Sequence, residues 1–219
     1  MCGIVGLYLK NLDLEDQIGE LFTPMLVAMT DRGPDSAGFA IYGDEVADDW
    51  VKLTLYHSDE EYDWSVLQQG IKKELACDVQ WFKNDKVAIF KMQTTDELAE
   101  QFLLKNSPEI VILSAGKSIE ILKEIGLPEE ISETFNLKGM KGTHIIGHTR
   151  MATESAVTME GSHPFSTGMD LCLVHNGSLS NHNRLRASLQ REGVTFETEN
   201  DSEVAAGYLT YRLQQGDTL

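Results

Sequence analysis

Five scattered positions carry side chains suited to amide chemistry. The chain opens MCGIVG, so Cys2 gains a free α-amine once Met1 is removed. A thiol titrates near 8.5 and an α-amine near 7.7–8.0, so the amine can take the thiol proton at about neutral pH. That is a nucleophile carrying its own base. A thiol attacking an amide also needs a home for the oxyanion. HNGSLSN offers the Asn176 side-chain amide and the unobstructed N–H of Gly177. Arg150, at the end of GHTR, has the fork that grips a carboxylate, and Thr153 adds a hydroxyl. Asp201, in ENDSE, suits a substrate ammonium. Each also has a plain structural reading. Cys2 can be a small hydrophobe in a strand, Asn-Gly a turn, Arg150 half of a salt bridge, and Asp201 a helix cap.

These residues need elements to hold them. CGIVGLYL reads as a buried strand. Leu14, Ile18, Leu21 and Phe22 recur at helical spacing, and Thr23-Pro24 predicts an N-cap and the start of a second helix, PMLVAMT. The turn-like DRGPDSAG and the strand FAIYG follow. From about 44 to 140 the texture alternates between helix and strand. WSVLQQGIKKEL reads as a helix, VQWF and VAIFKM as strands about the turn KNDK, and TTDELAEQFLL as a Thr-capped helix. IVILS is a strand, and KSIEILKEI a helix ending at Gly126 before Pro128. THIIGHTR and LCLVHNG then read as strands, Asn181 to Glu192 as a helix, and TFET as a short strand. NDSEVAAGYLTYRL reads as a helix capped by Asn200, with Glu203 placed for a capping box. The chain stops soon afterwards without a closing strand, as expected of a C-terminally truncated domain.

Bulk properties narrow the function class. A chain of 219 residues fits one domain, or one with a large insertion. Its net charge of -17 argues against nucleic-acid and anionic-membrane partners. Three widely spaced cysteines, Cys2, Cys77 and Cys172, form no disulfide framework and point to a reducing, cytoplasmic setting. No apolar run approaches the ~20 residues of a membrane span, and no secretory signal is evident. His144 and His148, four apart on a predicted strand, lie ~13 Å apart. With His163, His175 and His182 they make no recognisable metal-ligand spacing, so no metal is expected. No Gly-rich phosphate loop is present.

CGIVG, DRGPDSAG, GHTRMAT, HPF, HNGSLSN and ENDSE occur in one order along the chain. Together they resemble a class II glutamine amidotransferase, the N-terminal nucleophile glutaminase domain. The resemblance covers Met1 to about Tyr42 and Gly142 to about Leu213; the segment of about 44–140 reads as an α/β insertion in a domain spanning 1–219. It implies an α+β fold, a four-layer α/β/β/α sandwich. It implies cleavage of L-glutamine to glutamate and ammonia through a γ-glutamyl thioester on Cys2. Asn176 and Gly177 would form the oxyanion hole, Arg150 and Thr153 would hold the glutamine carboxylate, and Asp201 its α-ammonium. The loop Arg32–Ser36 would pack beside the Cys2 strand. HTRMATES, DLCLVHNGSLSNH and TENDSEVAAGYL are similar to stand-alone amidotransferase subunits related to N-methylglutamate synthase and glutamate synthase. Ammonia would then pass to a separate synthase subunit that carries a flavin, with no cofactor in this chain. The sequence departs from the family at Met151 and Glu154-Ser155, which changes the expected wall of the glutamine pocket. Two other readings are a non-catalytic binding or regulatory subunit of the same fold and a hydrolase of a different amide. The complete residue set argues against the first. Paired Arg150 and Asp201 argue against a peptide substrate, which lacks one of the two charges at the same carbon.

Overall fold

The computed structural model describes residues 2–152 and 157–218. The chain is α+β, with two four-stranded antiparallel sheets. The first has the order β1 (Gly3–Tyr8), β8 (His144–Arg150), β2 (Ser36–Tyr42) and β7 (Ile119–Ile125). The second has the order β4 (Val79–Asn84), β5 (Val87–Met92), β3 (Val51–Tyr56) and β6 (Val111–Gly116). A small pair joins β9 (Phe165–Ser166) to β10 (Cys172–Leu173).

Period-two alternation sorts the second sheet's side chains to two faces. Ala88, Phe90 and Met92 of β5 pack with Leu53 and Leu55 against α2 (Trp64–Leu75) and α3 (Asp96–Asn106). Val87 and Ile89 turn the other way and share a core with the first sheet. The far face of that sheet receives α1 (Ile18–Val27) and α4 (Pro128–Thr134), through Phe22, Leu26 and Ile131. A Cβ at Gly147 of β8 would lie 2.9 Å from the Phe22 ring, so glycine lets α1 settle on the sheet. The layers are helix, sheet, sheet, helix. Residues of the 44–140 segment build the whole second sheet, β7 of the first, and α2 to α4. Helices α5 (His182–Arg191) and α6 (Asp201–Gln214) pack on each other, and α6 also meets β9 and β10.

Several local expectations are corrected. KSIEILKEI is strand β7, not a helix. Its isoleucines alternate, and the strand pairs along its whole length with β2. No helix starts at Thr23-Pro24; one helix runs from Ile18 to Val27 with Pro24 inside it. The Thr23 hydroxyl instead donates back to the Gly19 carbonyl at 2.7 Å. An interior proline costs about 3 kcal/mol, and full burial of Phe22 and Leu26 on either side of it offsets that. The first strand is half-buried rather than buried, because β1 is a sheet edge. TFET forms no strand, and only Cys172 and Leu173 of LCLVHNG do. Glu203 closes no capping box: its carboxylate accepts from the N–H groups of Glu197 and Thr198.

Candidate active site

Strand pairing places the nucleophile next to the arginine. Gly3 pairs with Thr149 and Ser36 pairs with Arg150, so Cys2 enters the sheet beside the C-terminal end of central strand β8. Cys2 is half-buried, and its Sγ lies 3.9 Å from the Met151 carbonyl oxygen. Its own carbonyl accepts from Asn176 Nδ2 at 2.8 Å and from Arg32 Nε at 3.4 Å.

The loop before β2 fixes Arg150. Gly33 lies so close to β8 that a Cβ there would sit 2.5 Å from the Thr149 carbonyl carbon. Asp35 then brackets the arginine. Its N–H donates to the Arg150 carbonyl at 3.1 Å, and its Oδ2 accepts from the Ala152 N–H at 2.8 Å. Arg150 is only 7% exposed, yet it lines the cleft beside Cys2.

Asp201 is the first residue of α6, where the helix dipole favours a carboxylate. Asn200 caps that helix by accepting from the Ser202 N–H at 2.9 Å. Asp201 Oδ2 accepts from the Leu179 N–H at 2.6 Å, which ties the helix to the HNGSLSN loop. A carboxylate has about four lone-pair sites, so it retains capacity for a ligand. The same loop is held from below. His175 Nδ1 lies 3.1 Å from Ser202 Oγ, and His148 Nε2 donates to the His175 carbonyl at 3.0 Å.

Cys2, Arg150, Asn176, Gly177 and Asp201 thus line one cleft of about 450 Å³. Thr153 lies outside the described residues. A larger cavity of about 760 Å³ lies between α3 and α6, but it contains none of these groups. The loop Arg32–Ser36 reaches Cys2 through Arg32, as expected, but sequence reasoning did not reveal that Asp35 brackets Arg150 or that Ser202 supports the HNGSLSN loop. Among the described residues, no group of three or more His, Cys, Asp or Glu is placed to hold a metal.

His148 and His163 stack beneath the cleft with ring centroids 4.1 Å apart. Burial lowers the His148 pKa to about 4 and that of His163 further still. In an unfolded chain each titrates near 6.5. Both are therefore neutral in the folded state where the unfolded state is charged. Their contribution to stability is complete above about pH 6.5 and is lost as pH falls towards 4, at roughly 1.4 kcal/mol per pH unit per histidine. His163→Phe should remove about one proton from the pH slope of stability in that window. Urea unfolding between about pH 7 and 4.5 measures it, and an unchanged slope would refute the assignment.

The comparisons agree with the motifs. A family model described as a glutamine amidotransferase domain matches residues 137–213. A glutamine amidotransferase-like protein, GlxB, of Rhizobium meliloti is 50% identical over 224 residues, covering 100% of this chain and 72% of the relative. A putative glutamine amidotransferase of Methanothermobacter thermautotrophicus is 32% identical over 229 residues, covering 100% and 75%. A glutamine–fructose-6-phosphate aminotransferase of Idiomarina loihiensis is 33% identical over 115 residues, covering 52% and 19%.

Proposed function

We infer the following reaction for this chain, which belongs to the class II glutamine amidotransferase family: hydrolysis of the L-glutamine side-chain amide on Cys2, with release of ammonia to a partner synthase. After Met1 is removed, the Cys2 amine takes the thiol proton. The thiolate attacks the amide carbon, and the C–O π electrons move onto oxygen. Asn176 Nδ2 and the Gly177 N–H receive that oxyanion. The intermediate collapses, the C–N bond breaks, and the Cys2 ammonium protonates the departing nitrogen. A γ-glutamyl thioester and ammonia result. Water, deprotonated by the same amine, then cleaves the thioester to glutamate.

The observation that carries this reading is the grouping of Cys2, Arg150, Asn176 and Asp201 around one cleft, with the Asn176 amide already 2.8 Å from the Cys2 carbonyl oxygen. Arg150 would bind the α-carboxylate bidentately, and Asp201 the α-ammonium. Thr153 would add its hydroxyl to the carboxylate. We read the acceptor as a separate flavin-containing synthase subunit, on the resemblance of HTRMATES and TENDSEVAAGYL to stand-alone amidotransferase subunits. We place the reaction in the cytoplasm because all three cysteines are free thiols. No helix among the described residues is long and apolar enough to cross a membrane.

Intact-mass measurement after treatment with 6-diazo-5-oxo-L-norleucine tests the reading. It predicts loss of Met1 and one adduct from which glutamine protects. No adduct would favour a non-catalytic subunit of the same fold. Asn176→Ala should lower kcat roughly 10²–10³-fold, the usual effect of losing one oxyanion donor. Steady-state ammonia release measures it, and a loss under threefold would remove Asn176 from the oxyanion hole.

A further inference from the structure

A turn over Thr158–Ser162, between β8 and β9, lies against the arginine. It is closed by the Ser162 N–H on the Met159 carbonyl at 3.0 Å and the Gly161 N–H on Thr158 Oγ1 at 3.1 Å. The side chain missing at Gly161 leaves room for the guanidinium: a Cβ there would lie 3.3 Å from Arg150 Nη1.

Three elements outside the turn grip it. Ser162 Oγ gives its proton to the Thr158 carbonyl at 2.8 Å and accepts from Ser36 Oγ at 2.8 Å, and Ser36 is the β2 residue paired with Arg150. Asn200, the cap of α6, donates Nδ2 to the Gly161 carbonyl at 3.0 Å. Lys123 of β7 donates Nζ to the Ser162 carbonyl at 2.8 Å and the Glu160 carbonyl at 3.2 Å. Its ammonium also lies 4.9 Å from the centre of the Phe165 ring.

Lys123 is 5% exposed. Burying an ammonium on neutral carbonyls is expensive, and burial lowers its pKa to about 8 against the opposing pull of Glu160, Glu197 and Glu203. Methionine has a similar length and would fill this space without that cost. It could not hold two carbonyls of a turn. The lysine is thus better accounted for by what it fixes than by the space it fills.

We propose that Lys123 is a positioning residue for substrate: its ammonium pins the 158–162 turn, and the turn holds Arg150 and the Asn200–Asp201 start of α6 at one separation. The two charged handles for the amino-acid head group are then set by a single buried brace. This rests on the reading of Arg150 and Asp201 as substrate-binding residues. Lys123 touches neither the substrate nor Cys2, so it governs binding and leaves the reactivity of the thiol alone.

The test compares two reagents on Cys2, followed by intact mass. The norleucine reagent carries the α-carboxylate and α-ammonium; iodoacetamide carries neither. Lys123→Met should slow labelling by the first about tenfold, the effect of about 1.4 kcal/mol, and leave labelling by the second within about twofold. Ser36→Ala loosens the same turn without changing the buried charge, and should show the same selective loss to a smaller degree. It keeps the test decisive if the methionine variant does not fold. Equal loss with both reagents, or no loss with either, would overturn the proposal. Failure of the norleucine reagent to label the wild-type chain, while iodoacetamide does, would remove the glutaminase reading and this inference with it.

Discussion

A chain that keeps a residue in front of Cys2 is expected to bind glutamine and not to cleave it. The α-nitrogen then belongs to an amide, which cannot take a proton from the thiol. It cannot protonate the departing nitrogen or activate the deacylating water either. General acid–base catalysis contributes about 10²–10⁴-fold, so turnover should fall by at least that much. The rest of the site stays in place, because Arg150 and Asp201 are held by Asp35, Asn200 and the strand ladder rather than by the N-terminus. Glutamine affinity, read by titration calorimetry, should therefore change little. The alternative has named candidates, since His175 and His182 line the same cleft. Full turnover in a blocked chain would make one of them the base and sink the amine mechanism.

Arg150→Lys should raise the KM for glutamine about ten- to hundredfold with kcat nearly unchanged. A guanidinium offers two parallel donors to a carboxylate, and an ammonium is a single point charge. The arginine's surroundings sharpen the contrast. Asp35 brackets its backbone on both sides, Gly33 and Gly161 give it room, and little of it is exposed. A shorter reach in so fixed a place cannot be recovered by moving the strand. Each factor of ten corresponds to about 1.4 kcal/mol, so the range is what one of two charge-assisted bonds supplies. An unchanged KM would take Arg150 out of the binding site.

What was legible in the sequence was local. Asn200 before Asp201 announces a helix start, and the helix begins there. WSVLQQGIKKEL is a helix over its full length, as its spacing predicts, and the structure adds an Asp63 cap that accepts from the Ser65 N–H. GHTR ends a strand as expected, which put Arg150 at a strand terminus. What was not legible depends on partners far along the chain. The isoleucines of strand β7 alternate, but Leu122 and Lys123 lie side by side and are both buried, which breaks the period-two pattern. Helix α1 runs through Pro24 because the sheet beneath it repays the break. Asp35 meets Ala152 across 117 residues, and Lys123 meets the turn across 37 and 39. No spacing rule reports such contacts. The candidate nucleophile and handles could be nominated from motifs, whereas their supports had to be seen.

The register of β1 on β8 has a consequence for how the cleft can change. Because Cys2 runs straight into the Gly3–Thr149 pair and Arg150 follows Thr149, the backbones that carry the thiol and the guanidinium are separated by about one interstrand spacing, roughly 4.8 Å. The sheet acts as a ruler laid between the reacting atom and the anchor. A loop can be lengthened or recomposed without disturbing that ruler, and a one-residue slip in the ladder would turn every side chain of β1 to the opposite face. The catalytic spacing is thereby locked to the fold itself.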